Sequence, residues 1–184
     1  MVEEKLLTRA IAEEFLGSPK KDLTKFTSID EQAAKVLARH QGVLCLNGLT
    51  NLNEQVAQTL AKHKNHLELN GLTNLSEKVA QALVTHGGCG LHLSGLVTLN
   101  DKVANCLSKY KGAYLELNGL TSLSDNAAEA LAKHEESLHL NGLTSLSDNA
   151  AEALANHKGN LSLNGLTSLS DNAAKALANH KGVY

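Results

Sequence analysis

Tryptophan is absent from this 184-residue chain, and aromatic residues of all kinds make up 3% of it. A core without large rings must rest on many small aliphatic contacts, and a binding surface without them has few of the anchors that dominate contact energies. The chain has one proline, which excludes a proline-rich linker or ligand segment. No apolar run approaches the ~20 residues a membrane-spanning helix needs, so no membrane partner is expected. Lys and Arg together number 17 against 19 Asp and Glu. That balance lacks the basic excess of a phosphate-binding surface, and no nucleic-acid partner is expected. Lys20, Lys21 and Lys25 are the one compact basic group and read as a solvated face. Cys45, Cys89 and Cys106 are odd in number and lack C-x-x-C spacing, which points away from a disulfide framework and a zinc knuckle. The opening MVEEKLLTRAIAEEFLG carries acids where a secretory signal has a basic region. A cytoplasmic protein is the expectation.

What the chain does have is repetition. Residues 138–160, LHLNGLTSLSDNAAEALANHKGN, are followed at once by LSLNGLTSLSDNAAKALANHKGV, and three of 23 positions differ. Aligning on L-x-L places units at Leu44, Leu67, Leu91, Leu115, Leu138 and Leu161, at intervals of 23, 24, 24, 23 and 23 residues. A worn seventh copy begins near Lys21 and keeps Leu23, Phe26, Ile29, Ala33 and Leu37 in register. Self-similarity at this period marks a solenoid.

Inside one unit the hydrophobic period changes. Leu138 and Leu140 alternate around His139, which predicts a short strand with the leucines on one face. Asn141-Gly142 suits a turn with positive φ. Ser147 to His157 then reads as a helix of about ten residues, with Ser147 as N-cap, Asp148 in the first turn and Gly159 as C-terminal stop. Ala150, Ala151 and Leu154 face inward.

A strand, a helix and another strand running the same way predict parallel pairing with right-handed connections. Strands stack ~4.7–4.9 Å apart and helices ~8–10 Å apart, so the sheet should line a concave face with short helices on the convex one. Alanines on the helices keep the curvature mild. Residues 1–20 form a cap, whose Leu6, Leu7, Ala10, Ile11 and Phe15 predict one helix over 3–16, ended by Gly17-Ser18-Pro19. At the other end Leu161, Leu163, Leu166 and Leu169 should leave an apolar edge, to be covered either by further chain or by a second copy in a homodimer.

The period, the L-x-L strand and the helix resemble the leucine-rich repeat family across residues 21–184. Two family features differ. Leu49, Leu72, Leu96, Leu120, Leu143 and Leu166 stand where an Asn or Cys ladder is expected, and Gln41, Lys64, Gly88, Gly112, Glu135 and Lys158 replace the leading leucine. The resemblance implies a protein-binding module that uses its concave sheet.

The middle residues of L-x-L form one displayed row: Asp22, Cys45, Glu68, His92, Glu116, His139 and Ser162. Between 115–137 and 138–160 five positions differ, and four lie in or just before the strand. Scaffold letters are held while displayed letters change. This makes Cys45, His66, Glu68, His92, Tyr114, Glu116, His139 and Ser162 the expected binding residues for a protein or peptide. Alternating Glu and His on neighbouring strands suggests cross-strand pairs. A flat row ~4.8 Å apart converges poorly on an ion, so neither metal nor cofactor is expected. A second row, His40, His63, His86, His134, His157 and His180 with Tyr110 among them, recurs at the last helical turn and reads as C-terminal capping and packing along the outer helices. No nucleophile–base pair or phosphate loop is present, so no enzyme is expected. The alternative reading is a structural or assembly unit, or an engineered consensus scaffold, associating through its C-terminal end.

Overall fold

In the computed structural model, which describes residues 5–18 and 21–182, the L-x-L segments are short strands and each S-D-N-A-A segment opens a helix. The order is β1 (Leu6–Leu7), α1 (Arg9–Gly17), β2 (Ser28–Ile29), α2 (Glu31–Leu37), β3 (Leu44–Cys45), α3 (Glu54–Leu60), β4 (Leu67–Glu68) and α4 (Glu77–Leu83). It continues with β5 (Gly90–His92), α5 (Asp101–Leu107), β6 (Tyr114–Glu116), α6 (Asp125–Leu131), β7 (Ser137–His139), α7 (Asp148–Ala155), β8 (Leu161–Ser162) and α8 (Asp171–Ala178). The protein is thus an α/β repeat, a solenoid-like stack of strand–helix units. Strands β3 to β8 form one parallel sheet in chain order, with Leu67 opposite Leu91 and Leu91 opposite Leu115. No helix among the described residues is long and apolar enough to cross a membrane.

The leucines alternate as their spacing requires. Leu67, Leu69 and Leu72 are 0–1% exposed, and so are Leu91, Leu93 and Leu96 one unit on. Small inward residues on the helices, such as Ala80, Ala104 and Ala128, close the same seam. Each buried leucine contributes about 1.5–3 kcal/mol, but only against a neighbouring unit, which is why the units stack. Cys106, at 5% exposure, takes an alanine's place in that seam.

Five expectations need correction. The cap is not one helix over 3–16: Leu6 and Leu7 are a strand pairing in parallel with Ser28 and Ile29, and the helix starts at Arg9. In that register Ala12 and Phe15 repeat Ala34 and Leu37, so the cap copies the helical half of a unit. Residues 1–4, Pro19 and Lys20 of the cap, and Val183 and Tyr184 of the last unit, lie outside the described residues. Secondly, Lys21–Leu23 form no strand, so the six-stranded sheet begins at Leu44. Asp22 leaves the displayed row, and its Oδ1 accepts from Thr24 N (2.8 Å) and Thr24 Oγ1 (2.6 Å). Thirdly, the helices are seven or eight residues long from α2 on, not ten.

The fourth correction concerns glycine. No glycine among the described residues has positive φ. A Cβ on Gly142 would instead lie 2.2 Å from Asn118 O and 2.7 Å from Leu120 O, and one on Gly159 would lie 2.2 Å from Glu136 O. Glycine is required where one unit's backbone rests directly on the last, not for a left-handed turn or helix stop.

The fifth is the ladder. One residue after each strand's second leucine, Asn47 Oδ1 accepts from Asn70 N (2.9 Å), and Asn70 Oδ1 from Ser94 N (2.8 Å). Asn118 Oδ1 accepts from Asn141 N (3.0 Å), and Asn141 Oδ1 from Asn164 N (2.9 Å). An asparagine ladder therefore exists; it lies two residues before the leucines that appeared to replace it. At the helix starts a further chain of bonds joins the units. Ser147 Oγ both accepts from Ala150 N (3.0 Å) as N-cap and donates to Asp125 Oδ1 (2.5 Å), while Asn149 Nδ2 donates to Asp125 Oδ2 (2.9 Å). These donors hold the Asp125 carboxyl below its ordinary range, and Ser124 with Asn126 does the same for Asp101.

Candidate functional site on the open face of the sheet

The face opposite the leucines displays one residue per strand. Cys45, Glu68, His92, Glu116, His139 and Ser162 stand side by side in register, each half-buried by its neighbours. The position before each strand's first leucine adds a parallel column, Val43, His66, Gly90, Tyr114, Ser137 and Asn160.

The two columns meet at Gly90. Its missing side chain leaves a notch that the His66 ring enters from one strand back, stacking on Tyr114 across it (centroids 5.9 Å apart, 24° between planes). His66 Nδ1 there lies 3.1 Å from His92 Nε2. The other nitrogen of His92, Nδ1, is paired with Glu116 Oε2, and the Asn118 amide donates to Glu116 Oε1. Four side chains from three strands form one line of polar contacts: His66, His92, Glu116, Asn118. The side chains of His92 and Glu116 keep 19% and 26% of their surface exposed. Tyr114, 43% exposed, also meets the edge of His139 (6.2 Å, 86°).

The remaining expected residues stand apart from this line. Glu68 faces His92 in register, but its Oε2 accepts from Asn47 Nδ2 (2.9 Å), so the expected Glu68–imidazole pair does not form. Cys45 Sγ accepts from the same amide (3.1 Å); burial and the nearby Glu68 raise its thiol pKa, which makes it a poor nucleophile. Ser162 Oγ donates to Asn141 Oδ1 (2.7 Å) and belongs to the asparagine ladder's end. Among the described residues, no three His, Cys, Asp or Glu side chains are grouped to hold a metal ion.

The second histidine row packs elsewhere. His63, His86, Tyr110, His134 and His157 are 0–2% exposed. From His40 to His180 the rings stack at 6.1–6.3 Å, with 2–14° between planes, and Phe15 meets the first edge-on (5.0 Å). Burial lowers the pKa of His63, His86 and His157, and brings that of His134 to about 4, so these rings stay neutral. Tyr110 holds the place of a histidine in a 24-residue unit, reaching Gly88 O (3.2 Å) where His86 reaches Asn65 O (2.9 Å).

The composition of the site had been visible in the sequence; its geometry had not. The missed participants were Gly90, Asn118 and Asn47. Their signal was a glycine where sister units carry side chains, and an asparagine kept in almost every unit. Neither a family model nor a curated protein matches the chain.

Proposed function

We propose that the chain is a non-enzymatic module that binds a protein or peptide segment along the open face of its sheet. In this reading the stack is a right-handed, leucine-rich-repeat-like solenoid with the sheet concave, because strands pack closer than helices. One observation carries the proposal. Behind the sheet the units from Leu44 to Leu143 present the same leucines at 0–1% exposure, while in front the residue changes from strand to strand, through Cys45, Glu68, His92, Glu116, His139 and Ser162. Selection for stacking alone explains the constant side. A displayed series of unlike residues is what recognition uses.

The centre of the surface is the group of rings at Tyr114, His66, His92 and His139, flanked by Glu68. Exposed rings supply apolar contact area at low entropic cost, and a carboxylate at the rim selects basic side chains. The segment that fits best is extended, carries an apolar or aromatic residue for Tyr114 and a basic one for Glu68, and needs neither cofactor nor metal. Selection of displayed peptides on the wild-type protein tests this. Enriched peptides should lose at least ~10-fold in affinity to Tyr114→Ala and to Glu68→Lys. No enrichment, or enrichment indifferent to both variants, defeats the reading.

A second reading, assembly through the last unit, has its own observation. Leu161, Leu163 and Leu166 are only half-buried, and Leu169 is 38% exposed, while β8 is the edge of the sheet among the described residues. Sedimentation over a concentration range distinguishes it: a dimer abolished by Leu169→Glu supports assembly, and a monomer at all concentrations rejects it.

A further inference from the structure

We infer that His66 and His92 form a binding site for one imidazole-preferring divalent cation, of the Zn²⁺ or Cu²⁺ class, on the open face at Gly90. The displayed row alone does not converge, as its flat spacing requires. The diagonal between the two columns does. His66 Nδ1 and His92 Nε2 face each other at 3.1 Å. Two imidazole nitrogens bound tetrahedrally to zinc at ~2.0–2.1 Å lie about 3.3 Å apart. The pair is therefore within a few tenths of an ångström of a bidentate site, and only one proton at most occupies the line between the nitrogens.

The surroundings fix the state of the donors. Glu116 accepts at His92 Nδ1, which places the proton of that ring there and leaves the Nε2 lone pair directed at His66. A carboxylate behind a ligating imidazole holds the ring in orientation and raises its basicity. Asn118 in turn holds the carboxylate. The His66 ring is braced flat against Tyr114. The two nitrogens can approach each other because residue 90 is glycine: a Cβ there would lie 2.6 Å from His66 Nδ1 and 3.0 Å from His92 Nε2. Glu68 is held by Asn47 and does not pair with His92. Water completes the coordination, and the ion remains exchangeable. Imidazole donors select Zn²⁺, Cu²⁺ and Ni²⁺ over Mg²⁺ and Ca²⁺.

The site shares the face proposed for peptide recognition but needs no peptide, so each claim fails alone. The test is titration of the purified chain with Zn²⁺ alone by calorimetry, with the ring nitrogens followed by long-range ¹H–¹⁵N NMR. The expected result is one ion per chain, with shifts at His66 Nδ1 and His92 Nε2. Glu116→Gln should weaken binding roughly 10–100-fold, and His66→Phe, which keeps the stack on Tyr114, should weaken it at least as much. Gly90→Ala should abolish the site by pushing the His66 ring aside while both histidines remain in the chain. Equal affinity in wild type and His66→Phe would overturn the assignment. So would wild-type ring nitrogens that do not shift, a result independent of whether any variant folds.

Discussion

Histidine occurs in this molecule in two parallel rows with opposite fates. In the inner row His63, His86, His134 and His157 lie stacked and nearly inaccessible behind the helices' last turns. In the outer row His66, His92 and His139 stand half-exposed on the sheet, a few residues further along the same units. The inner ring recurs at one place in the repeat and tolerates only Tyr110 as a substitute. The outer ring alternates with Cys, Glu, Ser and Gly. The side chain does not decide its own role; the position in the repeat does. A ring in the seam is bounded above and below by the same ring from the next unit, so its identity is copied along the stack. A ring on the face is bounded by water and is free to differ.

The sharpest contrast between the rows is in stability. His134→Ala removes a buried ring from a continuous stack and should cost roughly 2–5 kcal/mol, within the range for large-to-small substitutions in a core. His139→Ala should stay within about 0.5 kcal/mol. Equilibrium urea unfolding measures both, and equal costs would erase the distinction.

Acid should separate the rows next. A buried histidine has a lower pKa folded than unfolded, so between those values the unfolded chain binds the extra proton and stability falls with falling pH. The loss begins near the ordinary pKa of about 6.5 and continues for His134 down to about 4. Its steepness is at most roughly 1.4 kcal/mol per pH unit for each such ring. Replacing His134 by Phe keeps the stack and should flatten the acid limb of a stability–pH curve measured by urea unfolding from pH 7.5 to 4.5. An unchanged slope would mean that the ring is not buried neutral.

A smaller effect tests what spaces the two rows. Gly142→Ala drives a methyl group against Asn118 O and Leu120 O, 2.2 and 2.7 Å from its position. The cost expected for such overpacking is about 1–3 kcal/mol. A glycine needed only for its backbone freedom would give no such clash, since its φ is not positive. Smallest of all, Glu68→Gln should leave the unfolding midpoint unchanged within about 0.5 kcal/mol, as befits a displayed residue.

These contrasts also show what a single sequence carries. The alternation in L-x-L and the A-A-x-A-L spacing report which side of one element is dry, and the sheet's order, its register and the N-capping serines follow from them. Distances between units are not written in that alternation. Asn-Gly has a strong turn signature of its own, so Asn141 reads as local, whereas its bond, like those of Asn47 and Asn70, reaches the next unit. The histidines follow the helices in sequence, and nothing in the 3.6-residue period says that the chain folds back to bury them. At the candidate site the residue types were legible one strand at a time. The His66–His92 diagonal depends on an absence, the side chain of Gly90, whose consequence appears only once three strands are laid together.

The account depends most on the inner row being sealed from water, and the ring nitrogens of His134 report this directly. Nitrogen NMR across pH 7.5 to 4.5 should find that ring neutral at pH 5.5, consistent with a pKa of about 4. A ring that gains its proton near pH 6.5 would place water in the seam, and the division between copied interior and displayed face would be lost.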